Sequence, residues 1–426
     1  MPLVSYDFQA PLGEFGKAND SYYHLKRLHF FIKDFGCELA PMVPSLPDEP
    51  PEANDPSKLR YALRSKGKQG FLFFNNYQRY LDMPDRKNVQ FTAVFGDEEL
   101  VFPQTPITIP SKSMGIFPIN MPIADATLVY ATSQPMMRWK DGDITRLVLV
   151  CLDGIDTYLC VSGVQEPQIS GGQVQQKGDA WVITTQRSRR IELQTQEGKH
   201  IEILLLSEQD SLNAYNLDLD GHRHLVICPT ELWYNGSTLS LRTVQEEPEQ
   251  ICFYPAISQT LSVDGETLAF AGRRGAFAFA LPTLTLPQVT VTSEPTDQIP
   301  IADRDYPFKS AGPAKAYRIK VSKIDWSKVS DVMVRFEFIG DTARLYLNGL
   351  LVADNFWCKN NWDVWLKRWE KELSEPNTEL ILVISPWKKD QKVFVQIKPA
   401  MMEESRADLL EVRAFKEKTF VLDIQK

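Results

Sequence analysis

The residues best suited to chemistry sit late in the chain. Trp357, Trp362, Trp365 and Trp369, with Trp326 upstream, are interleaved with Asn355, Asn360, Asn361 and Asp363. Flat aromatic rings stack on the C–H faces of sugars, and amide and carboxylate groups recognise hydroxyls, so this is the composition of a saccharide-binding loop. Trp362 and Trp365 are its candidate binding rings. The same residues also suit packing. Positions 364–369 have the period of an edge strand or short helix laid on a core, and closing or docking a β domain is the favoured reading.

Other constellations carry less. His222 and His224 would share one strand face and offer two imidazoles to a metal, yet no third ligand lies nearby in sequence. The histidines form no Ser-His-Asp or Cys-His grouping in a nucleophile-elbow context. Arg187, Ser188, Arg189 and Arg190 lack interleaved aromatics and read as a solvated strand end. The six cysteines (37, 151, 160, 228, 252, 358) show no metal spacing and read as buried free thiols. No pattern calls for a cofactor.

Composition narrows the class. A chain of 426 residues is long enough for two to four domains, and 43% hydrophobic with 24% charged residues is ordinary for a globular protein. A net charge of -8 argues against a dedicated nucleic-acid binder, since phosphate affinity comes mainly from Lys and Arg. No run approaches the roughly 20 apolar residues of a membrane span. Met1-Pro2-Leu3-Val4 has neither the basic nor the apolar region of a signal peptide, which favours a cytoplasmic chain as given.

The elements that must position these residues are mostly strands. The start is different: 5–16 reads as a buried strand end and a Pro/Gly-punctuated loop, followed by a helix. Asn19 or Asp20 is placed to cap that helix and Gly36 to end it in a left-handed conformation. Leu25, Leu28, Ile32 and Phe35 fall on one apolar stripe. One strand end and one helix cannot bury that stripe alone, so the segment reads as the last piece of a larger α/β unit.

Beyond it, the proline-dense 37–58 reads as extended linker. Short strands follow at 59–63, 70–75, 89–95, 99–102 and 107–109, and a strand-rich stretch runs from 127 to 280 with a short helix at 207–217. After a Pro/Ser/Thr-rich connection, Val332, Val334, Phe336 and Phe338 alternate with polar residues, as do Val393, Val395 and Ile397. Asn348-Gly349 marks a hairpin, and 379–384 reads as a central strand.

Three segments in order carry a resemblance. Ser5-Tyr6-Asp7-Phe8-Gln9-Ala10-Pro11-Leu12-Gly13-Glu14-Phe15-Gly16 with the helix after it resembles the eighth strand, loop and helix that close the (β/α)8 barrel of glycoside hydrolase family 35, the retaining β-galactosidases. Positions 70–79 and 343–356 are similar to the small β domain and the jelly roll that follow the barrel in bacterial members. The resemblance implies that Tyr6 and Phe8 line the galactose subsite of a complete barrel. Phe8 stands where the family has a second tyrosine, so one sugar-facing hydroxyl is missing. Asp7 and Glu14 read as structural acceptors for loop donors.

Retaining glycosidases hold two carboxyl groups roughly 5 Å apart. The family takes both from earlier barrel strands, one within an Asn-Glu segment, and this sequence contains no Asn-Glu dipeptide. The expected architecture is mainly β and multi-domain, with β-sandwich and jelly-roll domains after a barrel remnant. Its expected parts are a barrel end (1–36), a linker (37–58), a small antiparallel domain (59–122), a sandwich-like domain (123–287), a second linker (288–315) and a jelly roll (316–426).

The expected function is that of the C-terminal, non-catalytic part of a retaining β-galactosidase acting on terminal non-reducing β-galactose. It would brace the barrel, line the active-site mouth and be inactive alone. Two alternatives stand beside it: a free-standing carbohydrate-binding protein, and one subunit of a split galactosidase whose barrel-bearing polypeptide is supplied in trans. The expected small partner is a β-galactoside or oligosaccharide, with no catalytic residue, metal, nucleic acid or membrane.

Overall fold

A computed structural model describes residues 3–4, 10–185, 189–219, 221–235, 238–244, 249–273, 277–282, 286–304, 306, 312–392, 397–400 and 404–425. The protein is mainly β, built from several sheets with one long helix, α1 (Asp20–Leu39). No described helix is long and apolar enough to cross a membrane.

In α1, Asn19 is the N-cap residue, but its side chain makes no capping hydrogen bond and donates instead to the Ala10 carbonyl at 2.7 Å. The helix passes through Gly36, where a stop was expected, and ends at Leu39, with the Ala40 N–H still bonded to the Gly36 carbonyl at 2.8 Å. Pro41, which has no N–H to give, follows at once. The buried face also differs from the expected stripe. Phe31 and Phe35 are fully buried, whereas Leu25, Leu28 and Ile32 are 40%, 40% and 45% exposed. Aromatic contacts set this rotation: Phe31 and Phe35 stack at 5.4 Å and both meet the edge of Phe71.

α1 rests on two sheets. An antiparallel eight-stranded sheet runs Val43–Ser45, Arg60–Lys66, Gln69–Asn75, Met114–Ile123, Ala126–Ala131, Thr157–Ser162, Ala180–Thr185, Gln173–Lys177. A four-stranded sheet runs Arg189–Gln194, His200–Leu206, Ile144–Cys151, Ser133–Asp141. Their facing side chains and α1 share one core. The hairpin Arg86–Phe95/Glu98–Ile109 covers the other side of the larger sheet.

Three expectations change here. Val43–Ser45 lies in the presumed linker but pairs with 63–65, and Pro44 is tolerated because this strand is an edge. The strands expected at 99–102 and 107–109 are one strand. The boundary expected after 122 falls inside a hairpin, since Pro122 pairs with Thr127 and Ile123 with Ala126.

In the middle region, Ala214–Leu219, His222–Ile227, Gln250–Tyr254, Phe277–Ala280 and Phe270–Arg273 form one sheet. It packs over a shared core on a second sheet containing Glu231–Tyr234, Leu239–Thr243 and Thr260–Val263. The helix expected at 207–217 is shorter, α2 (Glu208–Leu212), with the Ser207 hydroxyl accepting from the Asp210 N–H at 3.0 Å.

The last region is a sandwich. Val291–Thr296, Lys315–Val321, Leu380–Ile384, Thr342–Leu347 and Leu350–Phe356 form one layer in that order. Asp331–Ile339 and Trp362–Trp365 belong to the other. Asn348 and Gly349 make the hairpin turn with φ of 49° and 83°. Val393 and Val395 lie outside the described residues. The long strand Asp408–Gln425 pairs with Asp331–Ile339 in this region and with Leu239–Thr243 and Thr260–Val263 in the middle one.

Candidate functional site

The loop entering α1 folds back on itself. Leu12 bridges Ala18, the Gly13 N–H reaches the Lys17 carbonyl at 2.9 Å, and Gly16 turns the chain at φ 67°. The loop docks on the tryptophan-rich segment. Phe15 meets Trp369 edge-on at 6.1 Å, the Arg368 guanidinium lies 4.7 Å from the Phe15 ring and 2.9 Å from the Glu14 carboxylate, and the Lys17 ammonium sits 3.9 Å above Trp365. These contacts pack the tryptophan-rich segment against the loop that leads into α1.

Between this loop, the first turn of α1, the strands Glu231–Tyr234 and Leu239–Thr243, and the segment 354–365 lies a cleft of about 710 Å³. Three of its cations are tied to its own walls. Lys17 donates to Glu417 at 2.6 Å, Arg242 to Glu231 at 2.6 Å, and Arg335 grips Asp363 with two bonds of 2.7 Å each. Asp354 accepts from the Leu3 and Val4 N–H groups, the latter at 3.0 Å, and from the Tyr306 hydroxyl at 3.2 Å. Glu249 accepts from the Thr230 hydroxyl.

Burial raises the Glu417 carboxyl above its ordinary range and outweighs the opposing pull of Lys17 and Arg242. Burial alone raises Glu249. The Tyr23 phenol is raised by burial first and then by the Glu231 charge. At the rim, Lys359, Asn360 and Asn361 are exposed.

Of the residues singled out by sequence, Trp362 and Trp365 line this cleft but are only 5% and 9% exposed. Trp362 packs on Phe336 at 5.5 Å and Phe338 at 6.4 Å. Tyr6, Asp7 and Phe8 lie outside the described residues, as do Arg187 and Ser188. Glu14 accepts from the Arg368 guanidinium of the tryptophan-rich segment and not from a donor of its own loop in the bond described. His224 is buried with Nδ1 3.0 Å from the Pro255 carbonyl, and burial lowers its pKa, while His222 is exposed. Among the described residues no group of three or more His, Cys, Asp or Glu is arranged to hold a metal ion.

Sequence reasoning missed Glu231, Arg242, Glu249 and Glu417. Glu231 and Arg242 stand directly opposite in register, a signal that exists only once the strands pair.

The second notable surface is the outer face of α1. Its inner edge is anchored: Asp34 accepts from the Arg138 N–H at 2.8 Å and from Arg223 at 2.8 and 3.1 Å, and Glu38 pairs with Arg138. The outer face presents Leu25, Leu28 and Ile32 to solvent.

No protein-family model and no curated protein matches the chain. Among solved structures, the crystal structure of the GH31 α-xylosidase from Xanthomonas citri aligns with 90% of this chain and 37% of that one, at 10% identity and a TM-score of 0.16. The chain thus spans well under half of that enzyme, and likeness at that level carries no argument about either fold or activity.

Proposed function

We propose that this chain is a non-catalytic part of a retaining β-galactosidase, bracing a catalytic barrel and walling its active-site mouth. The observation that carries the reading is the division of α1. Phe31 and Phe35 are locked into the β layers, while Leu25, Leu28 and Ile32 at helical spacing are left uncovered. A contiguous apolar stripe on an otherwise anchored helix marks a surface meant to be covered. The sequence resemblance of 5–16, 70–79 and 343–356 to family 35 says by what: the rest of a (β/α)8 barrel, in the same or a second polypeptide.

Magnitudes shape the proposal. Covering the exposed part of these three side chains yields about 1 kcal/mol each. Association costs at least ~4 kcal/mol, so the stripe alone cannot hold a partner and the contact must be wider. Val43 and Leu46, which follow α1 and are 69% and 67% exposed, offer further apolar area. The carboxylates of the cleft support a structural role as well, since Glu14, Glu231, Asp363 and Glu417 are each engaged by a cation.

The purified chain is expected to leave p-nitrophenyl β-galactoside unhydrolysed. Mixed with a family 35 barrel lacking its last strand–helix unit, it should co-elute with that barrel and raise its activity. The double substitution Leu28→Asp and Ile32→Asp should remove both effects. Hydrolysis by the chain alone, abolished by Glu249→Gln, would overturn the reading.

A further inference from the structure

We propose that residues 43–47 are a docking motif for a partner protein domain whose groove is lined by aromatic rings and flanked by basic residues. Prolines stand at 41, 44, 47 and 50, one in every three residues. A polyproline II helix has three residues per turn, so positions spaced by three share one side of it. Within that run, Val43-Pro44 and Leu46-Pro47 repeat an apolar residue followed by a proline, and the two pairs fall along the same flank. Grooves built of aromatic rings take such pairs, and a ligand already extended loses little entropy on binding.

The fold presents this motif instead of packing it away. Met42 is buried and ties down the start, with its carbonyl accepting from the Arg64 guanidinium at 2.8 Å. Val43–Ser45 is held along one side by its edge pairing with 63–65. Val43, Pro44 and Leu46 are exposed and Pro47 is half-buried. Past the motif, the Arg60 guanidinium donates to the Glu52 and Ala53 carbonyls at 3.1 Å each. The segment is thus strung between two anchors before a partner arrives.

Its chemistry selects the occupant. A further strand is a poor fit beside 43–47, because Pro44 and Pro47 have no N–H to give a ladder. Asp48 and Glu49 follow at a bend, and positions 46–57 hold four acids and no base, which repels nucleic acid and anionic surfaces. The exposed Lys58–Glu49 pair, at 3.1 Å, restrains Glu49 weakly. Acids at the end of the motif favour a groove with basic residues there. The inference goes beyond the bracing role and shares with it Val43 and Leu46, but an apolar contact with a barrel does not require proline at every third position.

Calorimetry of the full chain against a panel of purified Src-homology 3 and WW domains, some with basic and some with acidic residues beside the groove, tests this. At least one basic-flanked domain should bind at submillimolar concentration, and acidic-flanked ones should bind about tenfold more weakly or not at all. Pro44→Ala with Pro47→Ala should weaken binding by at least about tenfold with an unchanged circular dichroism spectrum. Asp48→Lys with Glu49→Lys should weaken it as well and flatten its salt dependence. Ser45→Ala, between the two pairs, should change it less than about twofold. Leu28→Asp with Ile32→Asp should leave it as it is, so the motif and the α1 stripe succeed or fail separately. No binding by any domain of the panel would refute the proposal, as would equal or tighter binding by the acidic-flanked domains, or affinity indifferent to loss of both prolines.

Discussion

The two faces of α1 share a helix and a similar apolar content, yet they have different fates. The inner face puts Phe31 and Phe35 against Phe71 and sets Asp34 beside Arg223, so rings and charges together fix one rotation. The outer face has leucines and an isoleucine at equally good spacing and no rings to match them. Periodicity therefore marks surface that resists water, and shape complementarity decides which part of it this chain covers itself.

The largest test of that contrast is Phe35→Ala. Removing a fully buried ring from a tight aromatic cluster should cost about 3–5 kcal/mol, read as a lower urea midpoint at unchanged slope.

A subtler test concerns Lys26, on the same helix. Its ammonium is buried without a hydrogen-bond partner, 3.6 Å over the Tyr215 ring and 5.0 Å from Tyr23, with Cys228 and Glu231 near. Burial lowers its pKa from 10.5 to about 7. From about pH 7 up to about 10.5 the unfolded chain binds this proton and the folded chain does not, so Lys26 makes stability rise with pH across that window. Lys26→Met should abolish that rise, seen as the difference between wild-type and variant pH profiles. Below pH 7 it should stabilise the fold, because it removes a charge whose burial outweighs the help of the Tyr215 ring and Glu231.

The smallest effect belongs to the outer face. Leu28→Asp or Ile32→Asp should change the stability of the isolated chain by no more than ~0.5 kcal/mol in chemical denaturation. A loss of several kcal/mol would mean that this face is already covered within the chain, erasing the contrast.

What the sequence disclosed follows from how local each signal is. Asn348-Gly349 named its hairpin because two adjacent residues tolerate positive φ, and Val332 to Phe338 named its strand because only one side is wet. Ser133–Asp141 escaped notice because Pro135, Met136 and Met137 are buried in succession, leaving no alternation to read. Val43–Ser45 hid among prolines because its partner strand, not its own composition, makes it a strand. The tryptophans that form one wall of the cleft were visible at once. The acid and arginine opposite them came from strands near 231, 242 and 417, which only the completed sheets bring together.

The strand Asp408–Gln425 has a consequence for biosynthesis. Its end, 418–425, fills the gap between Leu239–Thr243 and Thr260–Val263, so that sheet stays open while the ribosome is still adding about 160 further residues. At roughly 5–20 residues per second, a nascent chain carries two unpaired edges there for roughly 8–32 s. Translation speed, and any chaperone that shields those edges meanwhile, thus bears on the yield of native protein more heavily in the middle of this molecule than at its beginning.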